Sequence, residues 1–203
     1  MRRRPNLVRT NVLVVGGGLA GLSMALFLAW HRISCVLAER NDDAVRHPRM
    51  RGLVPRVLEM VRPMGVESSL ARHANRFADR ERFAAVRGET RSGLLTPVAD
   101  GRAAAGSDTP SPCPAIPIDQ DRAERVIRQQ AAGLGARVQF GSALVGFSED
   151  ETGILARLRR ADGAETIVQS QYLVAADGAN SAIRGQLGID MAGPGEIGRM
   201  VSV

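Results

Sequence analysis

The sequence predicts an α/β protein, a parallel sheet laid against helices, with an antiparallel excursion late in the chain. Three observations predict it. An apolar, β-branched run, Val12–Val15, opens directly onto Gly16, Gly17 and Gly18 and then a helix-compatible stretch, Leu19–Trp30. A second apolar run, Ile33–Ala38, ends in the charged pair Glu39-Arg40. A third, Tyr172–Ala176, ends in Asp177-Gly178.

The bulk properties fit a globular chain. Its 203 residues suffice for a sizeable core, and 44% hydrophobic with 24% charged residues excludes disorder and collagen-like repeats. Cys35 and Cys113 are too few for a disulfide framework or a four-cysteine zinc site, and His31, His47 and His73 show no metal-ligand spacing, so no metal is expected. The net charge of +6 invites a nucleic-acid reading. All 27 basic residues are arginine, however, a pattern of genomic base composition, and only 3% of residues are aromatic, a poor platform for stacking bases. Arg2, Arg3, Arg4 and Arg9 crowd an expected frayed tail. The expectation is a cytoplasmic protein with neither nucleic-acid nor membrane partner.

Residues 12–30 are nineteen positions without a charge, long enough on their own to suggest a membrane span. The glycine triplet argues against it, since each glycine disfavours a continuous helix by about 1 kcal/mol relative to alanine. Only twelve residues, Leu19–Trp30, remain for the helix. A strand, a turn and a buried helix account for the same letters.

That turn reads Gly16-Gly17-Gly18-Leu19-Ala20-Gly21, a match to G-x-G-x-x-G between strand and helix. Gly16 permits the tight turn, Gly18 admits a pyrophosphate close to the backbone, and Gly21 lets helix and strand pack closely. The helix start offers unpaired N–H groups and the positive end of its dipole. Glu39, eighteen residues past Gly21, is placed to accept hydrogen bonds from ribose hydroxyls. The unit predicts dinucleotide binding. Arg40 suits a 2′-phosphate, which Glu39 would repel, so a dinucleotide without one is favoured, and FAD and NAD both qualify.

A basic segment, Arg46 to Arg56, leads into a helix with Pro55 in its first turn, ending near Pro63 and Gly65. Arg49 and Arg51 are candidate donors to the pyrophosphate. Short alternating segments such as Arg82–Val86 read as strands, and residues 99–118, with Pro110, Pro112, Pro114 and Pro117, as a loop or lid. A helix over 119–132 follows, with Val126 and Ile127 inward and Gly133 and Gly135 ending it. Strands are expected at 137–140, 142–148, 153–160 and 165–169, with Asp162-Gly163 as a hairpin turn, before the last strand at 172–176.

The sequence Asp177-Gly178-Ala179-Asn180-Ser181-Ala182-Ile183-Arg184 then places an acid at a strand's carboxyl end. Such a residue either meets a ligand or caps the following helix. Taken together, the glycine fingerprint, Glu39-Arg40, His47–Arg56, Gln120-Asp121 at a helix start and Tyr172–Arg184 occur in an order that resembles the single-component, FAD-dependent aromatic hydroxylases of the para-hydroxybenzoate hydroxylase class. The similarity is greatest to their polyketide and phenol hydroxylase branch.

The resemblance implies a Rossmann-like, three-layer FAD/NAD(P)-binding α/β fold with an antiparallel β excursion. It implies that Gly16, Gly18, Leu19, Ala20 and Gly21 approach the FAD pyrophosphate, that Glu39 holds the adenosine ribose and that Arg40 lies near the adenine. Arg49 or Arg51 would face the flavin side, Gln120 would contact the cofactor, and Asp177 and Gly178 would sit near the pyrophosphate, with Arg184 completing their motif. Such enzymes reduce FAD with transiently bound NADPH or NADH, form a flavin C4a-hydroperoxide with O₂ and hydroxylate an aromatic substrate. The domain plan that follows is a flexible basic tail (1–9), a βαβ FAD-binding core (10–75), partial substrate-domain strands with a Pro/Gly-rich loop (76–118), a continuation of the FAD-binding domain (119–190) and the start of an incomplete substrate domain (191–203). Relatives of this class continue well beyond the Asp-Gly motif, so the expectation is a truncated, amino-terminal half, with a homo-oligomer or a complementing second chain as partner and no catalytic residue assigned. Two other readings remain open: a flavin-dependent reductase and a non-catalytic nucleotide-binding scaffold.

Overall fold

A computed structural model of the chain describes residues 6–43, 50–75, 86–88, 95–97 and 111–195. The chain divides into two compact units, one made of residues 1–43 and 131–203 and the other of residues 44–130.

The first unit is built on a six-stranded sheet in the order β5-β2-β1-β8-β7-β6. Its strands are β1 (Asn6–Val15), β2 (Cys35–Ala38), β5 (Arg137–Gln139), β6 (Ser142–Asp150), β7 (Gly153–Arg160) and β8 (Glu165–Ala175). β1 runs parallel to both β2 and β8, and β2 is parallel to β5. The β6–β7 and β7–β8 pairs are antiparallel, which makes the expected excursion. The helix α1 (Leu19–Trp30) follows the glycine turn with the predicted bounds. The long uncharged run is thus a strand, a turn and a helix, and no helix among the described residues is long and apolar enough to cross a membrane.

Burial follows from the strand period of two. Leu13, Val15, Val36 and Ala38 join Ile154, Ala156, Leu158, Val168 and Ile183 in one apolar cluster. Val12 and Val14, also buried, project to the opposite face, where Leu22, Ala25 and Leu26 of α1 are inaccessible to solvent. Cys35 reaches α1 directly, its thiol donating to the Ala25 carbonyl at 3.8 Å. Burial pushes that thiol above its ordinary pKa, so Cys35 is a core residue.

Two strands differ from expectation. β1 begins at Asn6, well before Val12, and Arg9 of the arginine-rich start lies inside it. The segments expected separately at 165–169 and 172–176 form one strand, β8, whose pairing with β1 runs from Asn6↔Thr166 to Val15↔Ala175. The polar residues that interrupt the apolar pattern are used across the pair: Arg9 Nε donates to Gln169 Oε1 at 3.1 Å, and Asn11 Nδ2 to Gln171 Oε1 at 3.4 Å. At the hairpin between β7 and β8, Gly163 has a φ of +80°, as the Asp-Gly signal predicts.

In the second unit, α2 (Pro55–Val61) starts at the predicted proline and runs into a 3₁₀ turn, Arg62–Met64, which Gly65 closes at φ +76°. A short helix, α3 (Glu67–Arg72), follows, and a bridge joins Leu53 to Ile116 through N–H···O bonds of 2.8 and 3.0 Å. The short strands β3 (Val86–Gly88) and β4 (Leu95–Pro97) pair antiparallel; the expected run Arg82–Ala85 lies outside the described residues. α4 (Gln120–Gly133) begins in this unit with Val126 and Ile127 buried, as its periodicity predicts. Cys113 is buried too.

Candidate functional site

The first unit places the predicted nucleotide residues at the carboxyl ends of three adjacent strands. From β1 the chain crosses through α1 to β2 on one side, and it later returns as β8 on the other. The sequence of connections therefore reverses at β1, and open α/β sheets bind ligands in the crevice that such a reversal leaves. The three strand ends are laced together: Gly16 N–H donates to the Ala38 carbonyl and Ala176 N–H to the Val15 carbonyl, both at 2.8 Å.

Glycine is required at this corner for steric reasons. Gly16 has a φ of +112°, and a Cβ on it would run into the carbonyl oxygen of Ala176. A Cβ on Gly21 would strike the carbonyl oxygen of Gly16, which is the close helix–strand packing expected of the third fingerprint glycine. Gly17 is constrained as well, a role the fingerprint does not assign. A Cβ there would lie 2.6 Å from Glu39 Cβ and 3.0 Å from Phe140 Cζ. Gly18 caps α1 in an extended conformation, with no side-chain cap and no acid in the first turn. The leading amides of that helix, from Leu19 to Gly21, have no intrahelical carbonyl to bond. An anion fits there.

Glu39, at the end of β2, is held by three donors. Its Oε2 accepts from Gly17 N–H at 2.5 Å, and its Oε1 accepts from Asn41 N–H at 2.8 Å and Asn41 Nδ2 at 2.6 Å. A carboxylate offers about four lone-pair sites, so a further donor can still be accepted.

Asp177, past the end of β8, accepts from Ser181 Oγ at 2.6 Å and from Ile183 N–H at 3.3 Å. Ser181 in turn accepts from Arg184 N–H at 3.0 Å as the N-cap of α5 (Ala182–Gln186). Partial burial pushes the Asp177 carboxyl up, but the Ser181 hydroxyl and the amides of Ile183, Asp177 and Ala182 together hold it below its ordinary 3.8. The N-cap of α5 is thus Ser181 and not Asp177, which supports the cap through Ser181 Oγ and Ile183 N–H and so orders the corner. Gly178 beside it has a φ of +89°.

One groove, of about 270 Å³, joins these pieces; its lining includes Gly16, Gly18, Glu39, Arg40, Asp177 and Gly178. Asn180 of the Asp-Gly motif also lines it, as do Asn41, Ser142 and Leu144, which belong to no motif in the sequence. Asn41 carried a readable signal, an amide side chain two residues past the strand-terminal acid. Ser142 and Leu144 carried none, because only the pairing of distant strands brings β6 to the groove. Arg51 and Gln120 belong to the second unit. Arg51 Nη1 pairs with Asp119 Oδ1 at 3.0 Å, and Gln120 donates to Glu124 Oε1 at 2.8 Å while accepting from Met50 N–H at 3.3 Å. Arg49 lies outside the described residues. No His, Cys, Asp and Glu cluster suited to a metal occurs among the described residues.

Comparison with known proteins decides the family. The profile of the FAD binding domain matches residues 9–203. The chain belongs to this family.

FAD is the cofactor of this domain. The tetracenomycin A2 monooxygenase-dioxygenase of Streptomyces glaucescens is 34% identical over 95% of the chain and 36% of the relative's length. The aklavinone 12-hydroxylase DnrF of Streptomyces peucetius is 38% identical over 95% of the chain and 40% of its own length. Among solved structures, aklavinone-11 hydroxylase in a ternary complex with FAD and aklavinone superposes with a TM-score of 0.70 at 30% identity, covering 88% of this chain and 35% of that one. The FAD-domain chain thus spans about a third of the length of the relatives it matches. The mixed α/β sheet and its antiparallel excursion are those of FAD-binding monooxygenases.

Proposed function

We propose that this chain forms the FAD-binding portion of a monooxygenase that hydroxylates an aromatic substrate, phenolic or polyketide, consuming NAD(P)H and O₂. The observation that carries the reading is the groove at the β1 reversal, which joins the glycine turn, Glu39 and Asp177 in one concavity. The relatives named above, a monooxygenase-dioxygenase and two aklavinone hydroxylases, supply the reaction class.

The residues fit the group they would hold. Gly16 and Gly21 keep the turn free of side chains, and the amides from Gly18 to Gly21 would take the pyrophosphate. Glu39 would accept the adenosine ribose hydroxyls, and Arg40 would lie by the adenine. Asp177 and Gly178 would close the phosphate end, and Arg49, Arg51 and Gln120 would serve the flavin side. These residues would hold FAD, which would supply the redox chemistry, accepting reducing equivalents from NAD(P)H and activating O₂ for hydroxylation of an electron-rich ring. The part of these residues is to bind and orient, and none is assigned a proton transfer. The groove of about 270 Å³ lies just below the range of typical small-molecule pockets, which suits part of a dinucleotide.

The test begins with the cofactor. The purified chain, mixed with FAD and freed of excess by gel filtration, is expected to keep the two-band visible spectrum of an oxidised flavin. The Gly18→Val variant, with a branched side chain against the phosphate path, is expected to lose it. Absence of bound flavin in the parent protein overturns the reading. Substrate-stimulated NAD(P)H oxidation with a hydroxylated product, sought across phenols and polyketide aromatics, then separates a hydroxylase from a reductase.

A further inference from the structure

Glu39 is held in one orientation by its own neighbours in the chain, and Asn41 supplies two of its three donors. Both Asn41 donors converge on Oε1, while Gly17 N–H takes Oε2. The backbone that carries this pair is itself fixed to the β5–β6 connection. Glu39 N–H donates to the Gln139 carbonyl at 2.9 Å, Ser142 N–H to the Glu39 carbonyl at 2.7 Å, and Gly141 N–H to the Asn41 carbonyl at 2.8 Å. Asn41 is solvent-exposed and lines the groove, so its side chain contributes little to any core. An exposed carboxylate without such partners samples several rotamers and must be ordered on binding, at a cost in affinity.

We propose that Asn41 is a positioning residue for recognition of the adenosine ribose: its side-chain amide fixes Glu39 so that the remaining lone pairs of the carboxylate meet the ribose hydroxyls. This rests on the FAD reading of the groove given above. It adds a specificity element that lies outside the glycine fingerprint and the strand-terminal acid.

The test uses the full chain with ADP and 2′-deoxy-ADP as competitors of FAD, followed by flavin fluorescence. The parent protein is expected to prefer ADP, and Glu39→Gln to lose much of that preference. Asn41→Ala, which removes the Nδ2 donor and keeps the backbone N–H, is expected to weaken ADP by about three- to tenfold, within the net worth of one ordinary hydrogen bond, and 2′-deoxy-ADP far less. A merely structural role would weaken both ligands equally. Asn41→Asp sets a second carboxylate against Glu39, and its ADP affinity is expected to recover as the pH falls and the pair takes up a proton. Full ADP preference in Asn41→Ala, alongside its loss in Glu39→Gln, overturns the role of Asn41 alone. A parent protein that binds both competitors equally overturns the ribose reading of Glu39, and the inference with it. Melting curves matching the parent's exclude misfolding of either Asn41 variant, and the surviving one suffices if the other is unstable.

Discussion

Gly17 N–H donates to Glu39 Oε2 at 2.5 Å, which ties the turn after β1 to the residue that ends the neighbouring strand. The bond needs a close approach. A Cβ on Gly17 would come within 2.6 Å of Glu39 Cβ, so the middle glycine of the triplet is sterically constrained, as Gly16 is.

Gly17→Ala is therefore expected to push β2's end away from the turn. The cost is that of overpacking, about 1–3 kcal/mol, and is read as a drop in the denaturation midpoint. FAD retention should fall with it, because the turn and the acid shift together. A variant with unchanged stability and unchanged FAD affinity would remove the close approach from the argument.

Asp177 gives a pH signature. Its carboxyl lies below its ordinary value of 3.8 in the folded state, so its contribution to stability is complete above that value and is lost as the pH falls through the folded one. Asp177→Asn should lower the melting temperature at neutral pH, since the amide keeps one acceptor oxygen but sets an NH2 donor where the second carboxylate oxygen accepts from Ser181 or Ile183. The gap between variant and parent should narrow below about pH 4. Melting curves across that range check it, and a constant gap would contradict the hydrogen bonds as the cause.

Ser170, in β8, carries a buried hydroxyl oxygen with no hydrogen-bond partner among the described residues. Replacing it with alanine removes the uncompensated desolvation, and a stabilisation of about 1 kcal/mol is expected by urea titration. A loss of stability would mean that the hydroxyl has a bonding partner.

Leu13 is inaccessible to solvent within the cluster shared by β1, β2 and the antiparallel strands. Leu13→Ala should cost about 2–5 kcal/mol, the transfer and cavity terms together. The same urea titration measures it, and a cost below about 1 kcal/mol would contradict the packing of Leu13 in that cluster.

Much of this protein was legible before any fold was known. The glycine turn, α1, the acid closing β2, the start of α2 and the inward face of α4 all follow from local chemistry: φ freedom, apolar period and caps. The resemblance carried by those motifs led to the FAD-binding family, which the comparisons bear out. The reading failed where partners are remote. Ser170 and Gln171 read locally as a break between two strands, and Asn6 to Arg9 as the end of a tail.

What the sequence determined by itself is which stretches must turn, cap or bury, because those demands are settled within a few residues. Tertiary structure alone decided that Arg9 and Asn11 would face Gln169 and Gln171, each a partner 160 positions away, so that two polar interruptions became one continuous ladder. It also decided that Ser142 and Leu144 would wall a groove begun at Gly16. Hydrogen bonds across a sheet depend on register between distant segments, and no local pattern encodes which segment will lie alongside.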